Sequence, residues 1–245
     1  MLSLEQQNTW RERYAATHPG WRPATERFAA HVGAAVGPAA LGPTARLLDL
    51  GCGRGGLVEQ LDFPPARIVG IDPDFDSLRD HRLPALPRAA ALSGRLPFAA
   101  ASFTVVAASW LLEHLPDPAT TFAEIGRVLR PGGVFIFITP NARHPLAWAN
   151  RAAGQLGRAQ GRLVDRLYGR GEADTFPTAY RANSPAVLAE LCAAAGLSLA
   201  TLECVADPTY LAFSRPLFLA MAAFEDRLPA DRRIHLVGVA RREER

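Results

Sequence analysis

The chain has 245 residues, of which 49% are hydrophobic and 21% are charged, a composition that suits one domain with a sizeable core and excludes a disordered polypeptide. All 27 basic residues are arginine, but the net charge is only +3, so the charge alone does not indicate a nucleic-acid partner. The three cysteines are too few for a disulfide framework, and no spacing of cysteine and histidine indicates a metal site.

The predicted elements begin with two helices, 4–17 and 23–37, which are separated at His18-Pro19-Gly20. From residue 45 onward strands and helices alternate, a pattern that predicts an α/β fold with a doubly wound, mostly parallel sheet. The predicted strands are 45–50, 67–71, 88–92, 103–109, 133–139, 198–205 and 234–240, and the predicted helices that follow residue 45 are 55–61, 74–82, 118–130 and 185–195.

The segment 141–183 does not fit this alternation, since it is long for a simple connection. It leaves from the carboxyl end of strand 133–139, the edge where such sheets bind ligands. We interpret it as a helical lid that forms a substrate pocket with the N-terminal helices and residues 207–228. Five lid arginines, which indicate either a solvated face or a seat for an anionic partner, are Arg151, Arg158, Arg162, Arg166 and Arg170.

A glycine-rich turn follows the first of these strands. Gly51 and Gly53 lack side chains where the backbone would approach a ligand and turn tightly. The predicted helix 55–61 would direct free backbone N–H groups at that ligand. Asp72, at the end of the next strand, is placed to accept both hydroxyls of a ribose. Together these residues predict a site for an adenosine-bearing cofactor.

Asp49 favours one cofactor over another. Gly51, Gly53 and Gly56 also match the G-x-G-x-x-G pattern of dinucleotide sites. However, a carboxylate two residues before the first glycine would repel the diphosphate of NAD and attract the ammonium group of S-adenosylmethionine. S-adenosylmethionine is therefore the favoured cofactor, and a nicotinamide-dependent oxidoreductase is the less favoured alternative.

Four motifs resemble those of the class I S-adenosylmethionine-dependent methyltransferases. The first is Asp49-x-Gly51-x-Gly53-x-Gly55. The other three, which resemble the small-molecule branch that includes the quinone-biosynthesis methyltransferases, are 96–98 with 101–106, 110–115 and 124–133. The resemblance covers roughly residues 45–140 well and 184–241 loosely. It implies a seven-stranded Rossmann-like sheet whose last strand is antiparallel.

The resemblance also implies an activity, the transfer of a methyl group by direct displacement to an O, C or N atom of a small-molecule acceptor. The acceptor would be fairly large and partly apolar, or anionic. A non-catalytic cofactor-binding module remains an alternative, because a fold does not determine a function. Nucleic acid is not expected as a substrate, since 109–112 lacks the Asn/Asp-Pro-Pro-aromatic motif that enzymes methylating base amino groups commonly use. One domain would then comprise a helical cap, a cofactor-binding core, the lid and the remainder of the sheet, with bounds 1–43, 44–140, 141–183 and 184–245.

The chain departs from the family at Leu92, where an acid usually receives the adenine amino group. We therefore expect adenine to be contacted by backbone groups near Leu92 and Ser93, or by the Ser93 hydroxyl. Cofactor binding should be somewhat weaker as a result, because one hydrogen bond contributes about 0.5–1.5 kcal/mol.

Several other residues are candidates for the site, each with a structural alternative. His114 follows strand 103–109 and is the candidate general base, although it could equally cap a turn. Trp110 would pack on adenine or near the sulfonium, or in the core. Tyr14, Tyr180 and Arg181 are candidates for binding the acceptor, or anchors for a helix and a loop. The predicted cofactor-binding residues are Asp49, Gly51, Cys52, Gly53, Gly55, Asp72, Pro73, Leu92, Ser93, Ser109 and Trp110.

The sequence also bears on the compartment. Residues 1–7 lack the basic and apolar regions of a signal peptide. The apolar segment 210–224 is short and contains Arg215-Pro216, so stable membrane insertion is not expected. We therefore expect a cytoplasmic protein, and the sequence gives no indication of its oligomeric state.

Overall fold

The described part of the chain, which in this computed structural model comprises residues 4–37, 45–56, 58–61, 63–148, 178–209, 212 and 214–244, contains seven strands, and six α-helices lie wholly within it. The helices are α1 Leu4–Thr17, α2 Ala24–Val36, α3 Phe75–Arg79, α4 Pro118–Val128, α5 Pro185–Ala194 and α6 Arg215–Arg227. The strands are β1 Leu47–Leu50, β2 Ile68–Asp72, β3 Arg88–Ala90, β4 Phe103–Ser109, β5 Leu129–Pro140, β6 Leu197–Val205 and β7 His235–Arg242.

The strands form one sheet in the order β3-β2-β1-β4-β5-β7-β6. Strands β1 to β5 run parallel, whereas β7 is antiparallel to both of its neighbours. The predicted seven-stranded, mostly parallel sheet with an antiparallel last strand is therefore confirmed. Because β7 runs the opposite way, its first residue, His235, pairs with Pro140 at the carboxyl end of β5.

Both faces of the sheet are covered by apolar side chains. On one face, Phe122 of α4 packs edge-on against Phe135 of β5, with ring centroids 5.6 Å apart. On the other, Phe28 and Val32 of α2 are fully buried in a cluster that includes Ile136 of β5. Burial on both faces explains why β1 and β5 read as near-continuous apolar runs.

The predicted helix 55–61 is wrong, because the structure has only a 3-10 turn at Val58–Gln60 there. Two glycines, Gly55 and Gly56, open this segment, and Pro64-Pro65 closes it. Glycine and proline both disfavour helix, so few residues between them can form one. Among the described residues 51–56 and 58–61, no α-helix N-terminus therefore follows the glycine turn.

Other elements differ in length or were not predicted. Helix α3 ends at Arg79 rather than 82, and β5 begins at Leu129 rather than 133. Helix α6, which the sequence analysis did not assign, begins after Ser214, whose hydroxyl accepts a hydrogen bond from the Leu217 N–H.

The predicted lid lies mostly outside the described residues. Within 141–183 the structure describes 141–148, of which 145–148 are helical, and 178–183. The five lid arginines fall outside the described part. Every helix in the described ranges falls short of the length and apolarity that a membrane crossing requires.

Candidate functional site

A cleft of about 1070 Å³ opens at the carboxyl edge of the sheet. It extends from the ends of β2 and β3, past β1 and β4, to the ends of β5 and β7. This is the edge where ligands of doubly wound sheets bind. The predicted site residues that line it are Asp49, Gly51, Cys52, Gly53, Gly55, Asp72, Pro73, Leu92, Ser93, Ser109, Trp110, His114 and Tyr180.

The glycine turn forms one wall of this cleft. Gly51 and Gly53 have φ angles of 77° and 50°, a region that side chains disfavour. The Gly51 N–H donates to the Ile71 carbonyl at 2.7 Å, which ties the turn to β2. A Cβ on Gly51 would lie 2.9 Å from Cδ1 of Leu111, so the turn has no space for a larger residue there.

Asp72 is fixed at the same wall by the backbone around it. Its Oδ2 accepts a hydrogen bond from the Gly53 N–H at 2.9 Å, and its Oδ1 accepts one from the Asp74 N–H at 2.9 Å. Each carboxylate oxygen has a further lone pair, so both can still accept a hydrogen bond from a ligand. The glycine turn and the end of β2 therefore present a held carboxylate beside a backbone without side chains.

Comparison with known proteins finds a family that resembles this part of the chain. Residues 48–137, which include the glycine turn and Asp72, match the family described as "Methyltransferase domain". The chain is 38% identical over 110 residues to a ubiquinone biosynthesis O-methyltransferase of Hahella chejuensis, a match that covers 42% of this chain and 46% of that protein. The matched region thus spans about half the length of that curated relative.

Solved structures share the fold of this protein over most of the chain. An S-adenosylmethionine-dependent methyltransferase from Mesorhizobium loti superposes with a TM-score of 0.53 at 22% identity, covering 83% of this chain and 94% of that chain. The [4+2]-cyclase SpnF superposes with a TM-score of 0.57 at 20% identity, covering 89% and 81% respectively. At these identities the likeness shows a shared fold alone.

The residues of the cleft fit S-adenosylmethionine, the cofactor that the family implies. The glycines leave a cradle that a Cβ would fill at Gly51, and Asp72 offers a ribose two acceptor oxygens. Asp49 is a buried carboxylate at the centre of the cleft, as an ammonium group would require. Leu92 and Ser93 line the far end of the cleft. Leu92 is 67% exposed, and the Ser93 hydroxyl lies 3.0 Å from that of Thr121.

Two predicted acceptor-binding residues, which lie outside the matched residues 48–137, do not line the cleft. Tyr14 is buried, and its hydroxyl donates to Asp226 of α6 at 2.7 Å, so the ring anchors α1 to a helix that the sequence analysis did not assign. Arg181 is exposed and donates from Nη1 to the Pro116 carbonyl at 2.8 Å, which anchors a loop. In both cases the structural alternative describes the observed contact.

The candidate base His114 lies in the cleft with a carboxylate nearby. Its Nε2 lies 3.9 Å from Oε1 of Glu113, and its side chain is 27% exposed. Glu113 is itself held by the Thr139 hydroxyl, which donates to Oε2 at 2.9 Å. The Tyr180 N–H donates to the Glu113 carbonyl at 3.1 Å, which brings the loop of Tyr180 to the same wall.

Four further residues line the cleft near His235, where β7 begins, and the sequence analysis did not single them out. His235 has its Nδ1 3.9 Å from Oδ2 of Asp207, and its ring meets that of Trp110 edge-on at 5.0 Å. Oδ1 of Asp207 accepts from both the N–H and the hydroxyl of Thr209. The fourth residue, Arg11, enters from α1. The antiparallel direction of the last strand was the one available signal, because it places the start of β7 at the ligand edge.

Burial lowers the pKa of His235 below its usual value of 6.5. Asp207 opposes this shift, and His144 and Arg11 add to it. The folded protein therefore takes up a proton at His235 less readily than the unfolded chain does. By linkage, this group removes stability as the pH falls below about 6.5, and stability is recovered as the pH rises above that value.

His235→Gln is expected to flatten this acid-side loss of stability. The free energy of unfolding, measured by urea denaturation between pH 7.5 and about pH 5, should fall less steeply than in the wild type. His114→Gln, which also removes an imidazole from the cleft, is the matched control. Parallel curves for the wild type and His235→Gln would contradict the assignment of a buried neutral imidazole.

Proposed function

We propose that this chain is an S-adenosylmethionine-dependent methyltransferase that transfers a methyl group to an O, C or N atom of a small-molecule acceptor by direct displacement. The main support is Asp72, a carboxylate held beside a glycine cradle inside the matched methyltransferase domain. The similarity to a ubiquinone biosynthesis O-methyltransferase supports a small-molecule acceptor.

In this proposal the residues at the β1 and β2 ends hold the cofactor. Asp72 binds the ribose, Asp49 faces the ammonium group, and Gly51 and Gly53 allow close approach of the backbone. Backbone groups at Leu92 and Ser93 contact adenine. When bound, S-adenosylmethionine supplies a methyl carbon that its sulfonium already activates.

The remaining work of the chain is to position the acceptor and to accept a proton where the acceptor loses one. Alignment of the two reacting atoms can supply much of the rate, so a strongly acidic or basic group is not required. His114 and His235 both face the cleft from the acceptor side of the glycine turn and are the candidate proton acceptors. Trp110 lies between the two subsites, and its backbone is held at a φ of 56°, an uncommon value for a residue with a side chain.

We further propose that residues 1–245 form a single domain, that the protein is cytoplasmic, that it does not act on nucleic acid, and that it does not insert stably into a membrane. The continuous sheet from β3 to β6, which includes the C-terminal strands, supports the single domain. The reduced state of all three cysteines is in keeping with a reducing compartment.

Calorimetric titration of the wild-type protein tests the cofactor. S-adenosylmethionine and S-adenosylhomocysteine should bind, and NAD should not, because Asp49 repels its diphosphate. If NAD binds and the adenosyl ligands do not, the result would favour a nicotinamide-dependent oxidoreductase. Binding of the adenosyl ligands without methyl transfer to any acceptor would favour a non-catalytic module, and the cyclase of the same fold shows that methyl transfer does not follow from the fold.

A further inference from the structure

The end of the cleft beyond the cofactor cradle contains Arg11, which enters from α1. Its Nε is buried and has no hydrogen-bond partner among the residues that the structure describes. Among the described residues no carboxylate forms an ion pair with its guanidinium. A buried donor without an acceptor costs free energy, more so when it is charged, so such a group at the wall of a cleft indicates an anionic ligand.

Two of the carboxylates that line the cleft with Arg11, those of Asp207 and Glu113, contact other groups. One oxygen of Asp207 accepts both hydrogen bonds from Thr209, and the other lies towards His235. Glu113 is held by Thr139. His235, which is close enough to Arg11 to interact electrostatically with it, is an imidazole whose pKa burial lowers.

The position of Arg11 separates it from the cofactor subsite. It interacts electrostatically with His235, which begins β7, and three strand spacings separate β7 from the glycine turn at the end of β1. Neighbouring strands lie about 4.8 Å apart, so the distance across the sheet is about 14 Å. The ribose carboxylate Asp72 lies one strand further away. An anion at Arg11 is therefore on the acceptor side of Trp110.

We propose that Arg11 binds a carboxylate of the methyl acceptor, which is therefore an organic acid whose reacting atom points towards Trp110 and the cofactor. This inference rests on the proposed function. A guanidinium fork matches a carboxylate with two parallel hydrogen bonds, and Nε is one of the donors that such a pair uses. The apolar Trp110 and Pro140, which line the same part of the cleft, would contact the body of the acid.

Binding of simple acids to the wild-type protein saturated with S-adenosylhomocysteine tests this proposal. The probes are acetate, succinate, octanoate and 4-hydroxybenzoate, each compared with its amide, and binding is measured by calorimetry or ligand-observed NMR. At least one acid should bind more tightly than its amide. If no acid does so, the proposal is overturned without any variant being needed.

Arg11→Gln should then weaken binding of that acid by about tenfold or more, which is the loss expected for a hydrogen-bonded charged group. Arg11→Lys keeps the charge but loses the guanidinium fork, so its affinity for the acid should lie between those of the wild type and Arg11→Gln. Arg13→Gln is the matched control, because Arg13 is on the same helix, stacks 4.7 Å from the centre of the Trp10 ring and does not line the cleft.

The affinity for S-adenosylhomocysteine separates the possible outcomes. It should be unchanged in Arg11→Gln. If that variant melts like the wild type but loses S-adenosylhomocysteine, Arg11 serves the cofactor and the proposal fails. Retention of the preference for the acid in Arg11→Gln would also overturn it. Failure of the wild type to bind S-adenosylhomocysteine would instead refute the proposed function.

Discussion

Replacement of Asp72 by alanine should weaken S-adenosylhomocysteine binding by about a hundredfold or more. The carboxylate would accept two ribose hydroxyls, and hydrogen bonds to a charged group contribute about 1.5–3 kcal/mol each. The same substitution removes the acceptor of the Gly53 N–H, so the glycine turn would also lose one of its attachments to β2. Calorimetric titration of both adenosyl ligands measures the effect.

Asp72→Asn separates these two contributions. The asparagine oxygen can still accept the Gly53 N–H, whereas its amide nitrogen cannot accept a ribose hydroxyl. We expect a smaller loss of affinity than in Asp72→Ala. Asp76→Ala is the control, because Asp76 is an exposed carboxylate of α3 that pairs with Arg79. If Asp72→Ala binds the adenosyl ligands as the wild type does, Asp72 does not contact the ribose.

The sheet and the cofactor cradle could be predicted because their signals are local in the sequence. A buried parallel strand reads as an apolar run, and a turn that needs positive φ reads as glycine, as at Gly51 and Gly53. Asp72 could be placed because it directly follows such a run. Each of these inferences needs only a short stretch of sequence.

At the acceptor end only the segments could be predicted, because the individual residues there are far apart in the chain. The sequence analysis assigned the N-terminal helices and residues 207–228 to the substrate pocket, but Arg11, Asp207 and His235 were not singled out, and they line one cleft only in the folded chain. Tyr14 shows the same difficulty in the opposite direction. It was a candidate for binding the acceptor, but its hydroxyl donates to Asp226 of α6. The sequence analysis did not assign that helix.

The helix predicted at 55–61 failed for a different reason. The helix was expected because it would directly follow a glycine-rich turn at the ligand edge. The paired glycines before this segment and the paired prolines after it disfavour a helix, and its described residues form a 3-10 turn. The consequence is functional, because the cradle depends on the Asp72 carboxylate and the glycine backbone rather than on a helix N-terminus.

Gly238→Ala is expected to destabilise the fold by about 1–3 kcal/mol, the usual cost of inserting a methyl group into a packed core. Gly238 pairs with Phe137 across β7 and β5, and a Cβ there would lie 2.1 Å from Cζ of the Phe137 ring. Phe137 is fully buried among other aromatic side chains, so its ring cannot move away freely. Chemical denaturation of the wild type and the variant gives the difference in the free energy of unfolding.

The contact with Phe137 can be isolated by a double-mutant cycle. Phe137→Leu makes space at the ring position, so Gly238→Ala should be less destabilising in that background, with a coupling free energy of about 0.5–3 kcal/mol. Additive effects would mean that the clash is relieved elsewhere. Gly33→Ala in α2 is the control, because a Cβ there has nothing within 4 Å and should stabilise the helix by about 0.5–1 kcal/mol. Gly238 lies on the strand that begins with His235, so a strand displaced by the new methyl group should also weaken acid binding at Arg11.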